Sequence, residues 1–272
     1  MSTTTVTAAP PRTRTRGHRR PRLVSAELLK LRKRRGLVIS ALALTILPMV
    51  IAYIVLLSLH AANPGKHGPA GGLANLSGSM DVLTTLSTVA AILVGATLGA
   101  GDLGSGVFRE LVITGRSRIA LFAARVPAGL GLVLPIVGAG FAITATGSTV
   151  FAGSLEAPCA SLLVESALWL GLVTAVSLVL ALGVSSVLGS RGTTIGIVLG
   201  WQLVLTPVLV QIKGLGSLRD GLLGAATYRL APAALFNGTV VPMSLLAAAL
   251  VIVAWIAIPL AAGGWRTYTR DA

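Results

Sequence analysis

Charge is scarce in this sequence. Only 11% of its 272 residues are Asp, Glu, Lys or Arg, where a soluble chain carries about a quarter. So few charges cannot wet the surface of a body this size, which excludes an ordinary soluble globular protein. Acid is scarcer still: eight Asp and Glu stand against 22 Lys and Arg. They are scattered, so the clustered carboxylates expected of a membrane-bound phosphatase or transferase are missing. The single cysteine, Cys159, excludes an intrachain disulfide and any cysteine-rich metal site. His18, His60 and His67 stand apart, with no H-E-x-x-H pattern. His60 and His67 share a Gly- and Pro-rich stretch with Asp81 beyond it, a composition that reads as a solvated loop before it reads as a metal site. No G-x-x-x-x-G-K-[ST] occurs, so the chain has no loop with which to cradle ATP, and no G-x-S-x-G supports serine hydrolysis. By itself the chain is expected to be non-catalytic and to bind no metal or cofactor.

What is abundant is apolar. Hydrophobic residues make up 54% of the chain and the mean hydropathy is +0.87, which defines a polytopic, all-α membrane protein. Residues 1–22 are Thr, Pro and Arg with almost nothing to bury and read as a disordered basic tail. A signal peptide does not fit, because the positive region is too long and no small-x-small cleavage site follows the first apolar run. Residues 23–36 can form a short interfacial helix, with Val24, Leu28 and Leu31 as an apolar stripe and Lys30, Arg32, Lys33, Arg34 and Arg35 reaching for headgroups. A plain run of positive charge beside a span is the other reading.

Residues 37–262 divide into six spans. Leu37 to Leu59 would be about 34 Å long as a helix, with Pro48 near its middle as a kink. His60 to Ser79 reads as an external loop, and Met80 to Ala100 as a second span with Gly95 and Gly99 in G-x-x-x-G spacing. Ile119 to Ala145 is a third span containing Pro127 and Pro135; its Arg125 is expected to snorkel towards the cytoplasm. Ala160 to Leu188 is a fourth span holding Glu165, which faces either a cavity or the headgroups. Thr193 to Ile212 is a fifth, with Gly192, Gly196 and Gly200 on one face and Gln202 able to bond across helices. Lys213 to Pro242 is an outer segment with short surface or re-entrant helices in it. Met243 to Ala262 is the sixth span, followed by Trp265 as an interface anchor in a cytoplasmic tail, 263–272.

The formal charge of +14 suggests nucleic acid at first, but the basic residues lie beside apolar spans, which points to the cytoplasmic lipid surface. With both termini inside, 18 Lys and Arg fall on inner segments and four, Lys66, Lys213, Arg219 and Arg229, on outer ones. Without the N-terminal tail and helix the balance is still seven to four. Both ends are therefore expected in the cytoplasm.

The interval Gly101 to Arg118, GDLGSGVFRELVITGRSR, interrupts this apolar pattern. From Gly106 to Thr114 it can make about two and a half helical turns, with Val107 and Leu111 on one face and Arg109 and Glu110 exposed. Such an element could receive a push from a soluble partner, or could be a turn held near anionic lipid by its arginines. Among solute carriers, a proton-coupled transporter would use Glu165 with Arg125 or Gln202 near it.

This interval, followed by IALFAARVPAG, resembles the permease subunits of type 2 ATP-binding-cassette exporters, the six-span bacterial proteins that work with a separate ATPase. The N-terminal basic helix, the outer APAALFNG and the ending AAGGWRTYTRDA are similar too. The resemblance implies an ABC-2 permease fold in the plasma membrane and a cytoplasmic ATPase carrying the Walker A sequence, with ATP and Mg²⁺ on that partner. It also implies a second permease subunit, identical or related. A coupling helix then falls on Gly106 to Thr114, with Gly106, Phe108, Arg109, Glu110, Thr114 and Arg116 as its contacts. Arg32 to Arg35 fall beside the ATPase, and the Gly192, Gly196, Gly200 face becomes a dimer seam. Glu165 and Gln202 are the pathway candidates, and the implied cargo is amphipathic or lipid-like. A sensor or immunity module built on the same complex is the alternative to export.

Overall fold

The computed structural model of the chain describes residues 20–104, 117–236 and 242–269. Among them every regular element is helical. Six stretches are long and apolar enough to cross a membrane: Arg35–Ala62, Leu73–Gly101, Arg118–Val150, Ala160–Leu188, Arg191–Gln211 and Leu245–Thr269. The molecule is an all-α, multi-pass membrane protein. Because the spans alternate in direction, the N-terminal helix and the end of the sixth span share one end, the basal end; the other is the distal end.

The second and fourth spans form the centre. Of their apolar stretches 67% and 61% are buried, against 17% for the first and fifth and 11% for the sixth. Their contact is close because small residues face each other. A methyl group added at Gly95 would overlap the Leu178 carbonyl oxygen, and one at Gly99 would stand 2.5 Å from that of Leu182. Ser185 Oγ donates to Ala96 O across this seam at 2.7 Å. With little hydrophobic force between helices in lipid, such backbone approach supplies much of the association. The sixth span joins the same way: a side chain at Gly183 would meet Pro259 at 2.5 Å, and Gly263 sits over Gly183 O.

The first span breaks at Ile46, between helices Arg35–Thr45 and Leu47–Ala62. Pro48 has no N–H for the Leu44 carbonyl and its ring crowds that group, so the chain bends one residue before the new helix. Gly140 of the third span lies against the bend at Thr45 O. Tyr53 then pins the two spans, donating to Thr144 O at 2.9 Å, 2.7 Å from Ser148 Oγ.

Several boundaries differ from the sequence reading. The second span begins at Leu73, not Met80, so the last part of the expected loop is helix; Leu76 and Met80 are both fully buried there. The sixth span runs on through the expected tail to Thr269, since Gly263 and Thr267 are buried against the bundle. The N-terminal helix spans Arg20–Lys33. Its apolar stripe packs against the bundle: Leu31 is 3% exposed in the core, with Val24 and Leu28 against it. Residues 1–19 of the expected tail lie outside the described residues.

Candidate functional site

Along the second span Ser77, Asp81, Thr84, Thr85 and Thr88 recur at helical spacing, forming one polar face. Asp81 lies about 12 Å along the helix from its distal start. An ionisable group on a membrane-spanning helix is kept where it can face a cavity or the headgroups. Such a cavity exists: about 950 Å³, walled by this face, by Trp169, Val173 and Ser177 of the fourth span, by the fifth span, and by the segment that follows it. Its size is that of a small-molecule site.

The fifth span contributes through a local widening. Helix Arg191–Leu199 passes into a π-helical turn, Gly200–Leu205, before Thr206–Gln211. The Thr206 N–H bonds back to Trp201 O. Pro207 cannot donate to the preceding turn, and the wider turn accommodates the loss. Gln202 and Thr206 are thereby set in the cavity wall. Ser177 Oγ donates to Gln202 Oε1 at 3.0 Å, a bond between spans.

The distal segment closes the cavity. A 3₁₀ helix, Lys213–Gly221, is broken at Gly216 (φ 53°, ψ −132°), a conformation that needs glycine, and a helix follows at Leu223–Arg229. Hydrogen bonds fasten this segment to three spans. Trp169 Nε1 donates to Thr227 O at 2.9 Å, Trp255 Nε1 to Gly221 O at 3.0 Å, and Ser77 Oγ to Leu235 O. Trp169, Tyr228 and Phe236 form an aromatic cluster in the wall, Trp169 and Phe236 at 4.6 Å and Tyr228 and Phe236 at 6.1 Å between centroids. Burial, and secondarily the Asp81 carboxylate, hold the Tyr228 phenol above its usual pKa.

Four residues of the cavity wall carry a buried polar atom with no hydrogen-bond partner among the described residues: Thr84 Oγ1, Gln202 Nε2, Thr206 Oγ1 and Arg219 Nε. The wall is therefore polar where the second span, the fifth span and the distal segment meet. Asp81, Arg219 and Arg229 line the same space. No ion pair joins these three charges to one another; the pairing of Lys30 with Glu27, at 2.7 Å, belongs to the N-terminal helix.

The expected site residues fall as follows. Gln202 is in the cavity wall, but Glu165 is exposed near the distal end of the fourth span. Arg125, expected to snorkel, is instead 2% exposed, with Nη1 3.5 Å from Gly99 O on the basal side of the bundle. Glu165 and Arg125 therefore lie towards opposite ends and do not form one site. Arg32, Lys33, Arg34 and Arg35 are exposed at the basal end. Gly192, Gly196 and Gly200 have nothing within 4 Å of where a Cβ would stand, so none of the described residues packs against them there. Gly106, Phe108, Arg109, Glu110, Thr114 and Arg116 lie outside the described residues. Asp81 and the hydroxyl face were missed as a site, though the spacing of Ser77, Asp81, Thr84 and Thr88 within an apolar span was a visible signal.

No protein-family model matches this chain, and no curated protein does.

Proposed function

We propose that the chain is the membrane-spanning permease subunit of a type 2 ATP-binding-cassette exporter. It would move an amphipathic or lipid-like compound outward while a separate cytoplasmic subunit hydrolyses ATP. The observation that carries the reading is the distal cavity, where polar and charged side chains and an aromatic cluster meet inside a six-span bundle. A polar guest with an apolar part fits both kinds of wall.

Two further features support it. The exposed arginines beside the N-terminal helix offer a basic surface at the basal end, where the ATPase would sit beside Gly106 to Thr114. The Gly196 and Gly200 face opens on an apolar groove of about 620 Å³ with Trp201, Leu205 and Trp255, which suits a second permease subunit. ATP closure of the partner would then shift the bundle between conformations, provided the coupling helix contacts it differently in each.

Purification of the tagged protein from its native membrane in mild detergent tests this. A stoichiometric soluble subunit with a Walker A sequence is expected, and Arg109→Glu should abolish cargo-stimulated ATP hydrolysis in the reconstituted complex while leaving membrane insertion intact. A chain that reproducibly comes out alone overturns the reading. Proton coupling would then stand, and Asp81 in the cavity, rather than Glu165, favours that second reading.

A further inference from the structure

The distal cavity holds charges of both signs that do not neutralise each other. Asp81 approaches from the second span, Arg219 and Arg229 from the distal segment. Charges kept at such a place are costly unless something answers them. A purely anionic guest would be repelled by Asp81 and a purely cationic one by the two guanidinium groups. A guest carrying both charges is repelled by neither.

The remaining chemistry divides along the same line. On the acid side, Asp81 and Tyr228 line the same cavity, and Tyr228 stands edge-on to Phe236 and near Trp169. The Tyr228 ring is part of the cavity wall. A carboxylate beside aromatic rings is the setting that holds an alkylated ammonium by charge and cation–π attraction. On the basic side, Arg219 is held by its Nη1 on Val210 O at 3.3 Å, while its buried Nε has no partner. Arg229 is oriented by Nε on Met243 O at 2.9 Å. Two anchored guanidinium groups suit a phosphate. Between them Thr84, Thr85, Thr206 and Gln202 give the wall a polar stretch.

We propose that the cavity binds a zwitterionic head group, an alkylammonium joined to a phosphate. Its ammonium lies against Asp81 and the Tyr228 ring, and its phosphate against Arg219 and Arg229. This deepens the exporter reading and rests on it for the direction of movement. The head group comes either from a membrane lipid or from a soluble phosphodiester.

Isothermal titration of the purified full chain in an uncharged maltoside detergent tests this. The probes are glycerophosphocholine, dihexanoyl phosphatidylcholine, dihexanoyl phosphatidic acid, choline and dihexanoylglycerol. At least one of the two phosphocholine probes should bind about tenfold or more tightly than the three that carry charge of one sign or none, as expected for an added charge-assisted contact. Tight binding of glycerophosphocholine identifies a soluble source; a requirement for the acyl chains identifies a lipid. Asp81→Asn should weaken both phosphocholine probes and spare phosphatidic acid, and Arg219→Gln should weaken them and spare choline. Equal affinity across the wild-type panel overturns the proposal whether or not the variants fold, and so does indifference to both substitutions. The titration contains no ATPase, so its failure leaves the exporter reading to be decided by co-purification, and a missing ATPase leaves head-group binding to be decided here.

Discussion

Two sets of glycines in this chain have the same helical spacing and opposite surroundings. At Gly99 a Cβ would press on the Leu182 carbonyl and the Ser185 side chain, whereas at Gly196 it would meet nothing within 4 Å. Backbone cannot step aside as a flexible side chain can, so Gly99→Ala should cost about 1–3 kcal/mol of overpacking. Gly196→Ala meets no such obstacle and should gain a few tenths to about 1 kcal/mol from helix propensity. Thermal unfolding of the two purified variants in detergent should therefore shift in opposite directions from wild type. A destabilised Gly196→Ala would show that its face is already covered, by a second subunit, in the purified state.

The distal segment shows the same reasoning for a whole element. Its helix Leu223–Arg229 is short and would not persist alone; Leu223, Ala225, Ala226 and Thr227 are buried against the spans, and tryptophan N–H groups hold the Thr227 carbonyl within it and the Gly221 carbonyl just before it. Trp255→Phe keeps an aromatic ring and removes the bond to Gly221 O, worth about 0.5–1.5 kcal/mol net. Amide hydrogen exchange in residues 213–229 should quicken several-fold, while that of the second and fourth spans stays as it was. This element also marks where the sequence ceased to be informative. Six spans were legible because apolar runs of this length have few other uses, and the fourth, Ala160–Leu188, falls where hydropathy put it. Leu73 to Ser79 was not, because it is polar and Gly-containing in sequence, and Ser77 finds its partner, Leu235 O, far along the chain. The basal extension of the sixth span to Thr269 was missed for a like reason: Thr267 is 4% exposed through packing that composition does not encode. The cavity was half legible. Gln202 could be read as a cross-helix partner, but Asp81 gains its role only when the distal segment folds back over it.

At the scale of the whole molecule the open physical question is which way the bundle faces. The sequence places most Lys and Arg at the basal end, and the positive-inside tendency predicts that end in the cytoplasm. The chain carries its own reporter for this. Cys159 is the single cysteine; it is exposed and stands immediately before the distal start of the fourth span. A hydrogen bond from the Ser161 side chain, with backbone bonding at Leu162, holds its thiol below the usual cysteine range. Because the thiolate is the reactive form, its share at neutral pH is raised, and labelling should continue as the pH falls below the point where an ordinary thiol stops reacting. A membrane-impermeant maleimide added to intact cells should therefore modify the protein, and Cys159→Ser should abolish the signal. If labelling required permeabilised cells, the basal end would face outward, and a cytoplasmic ATPase could not reach the arginines and the interval on which the exporter reading depends.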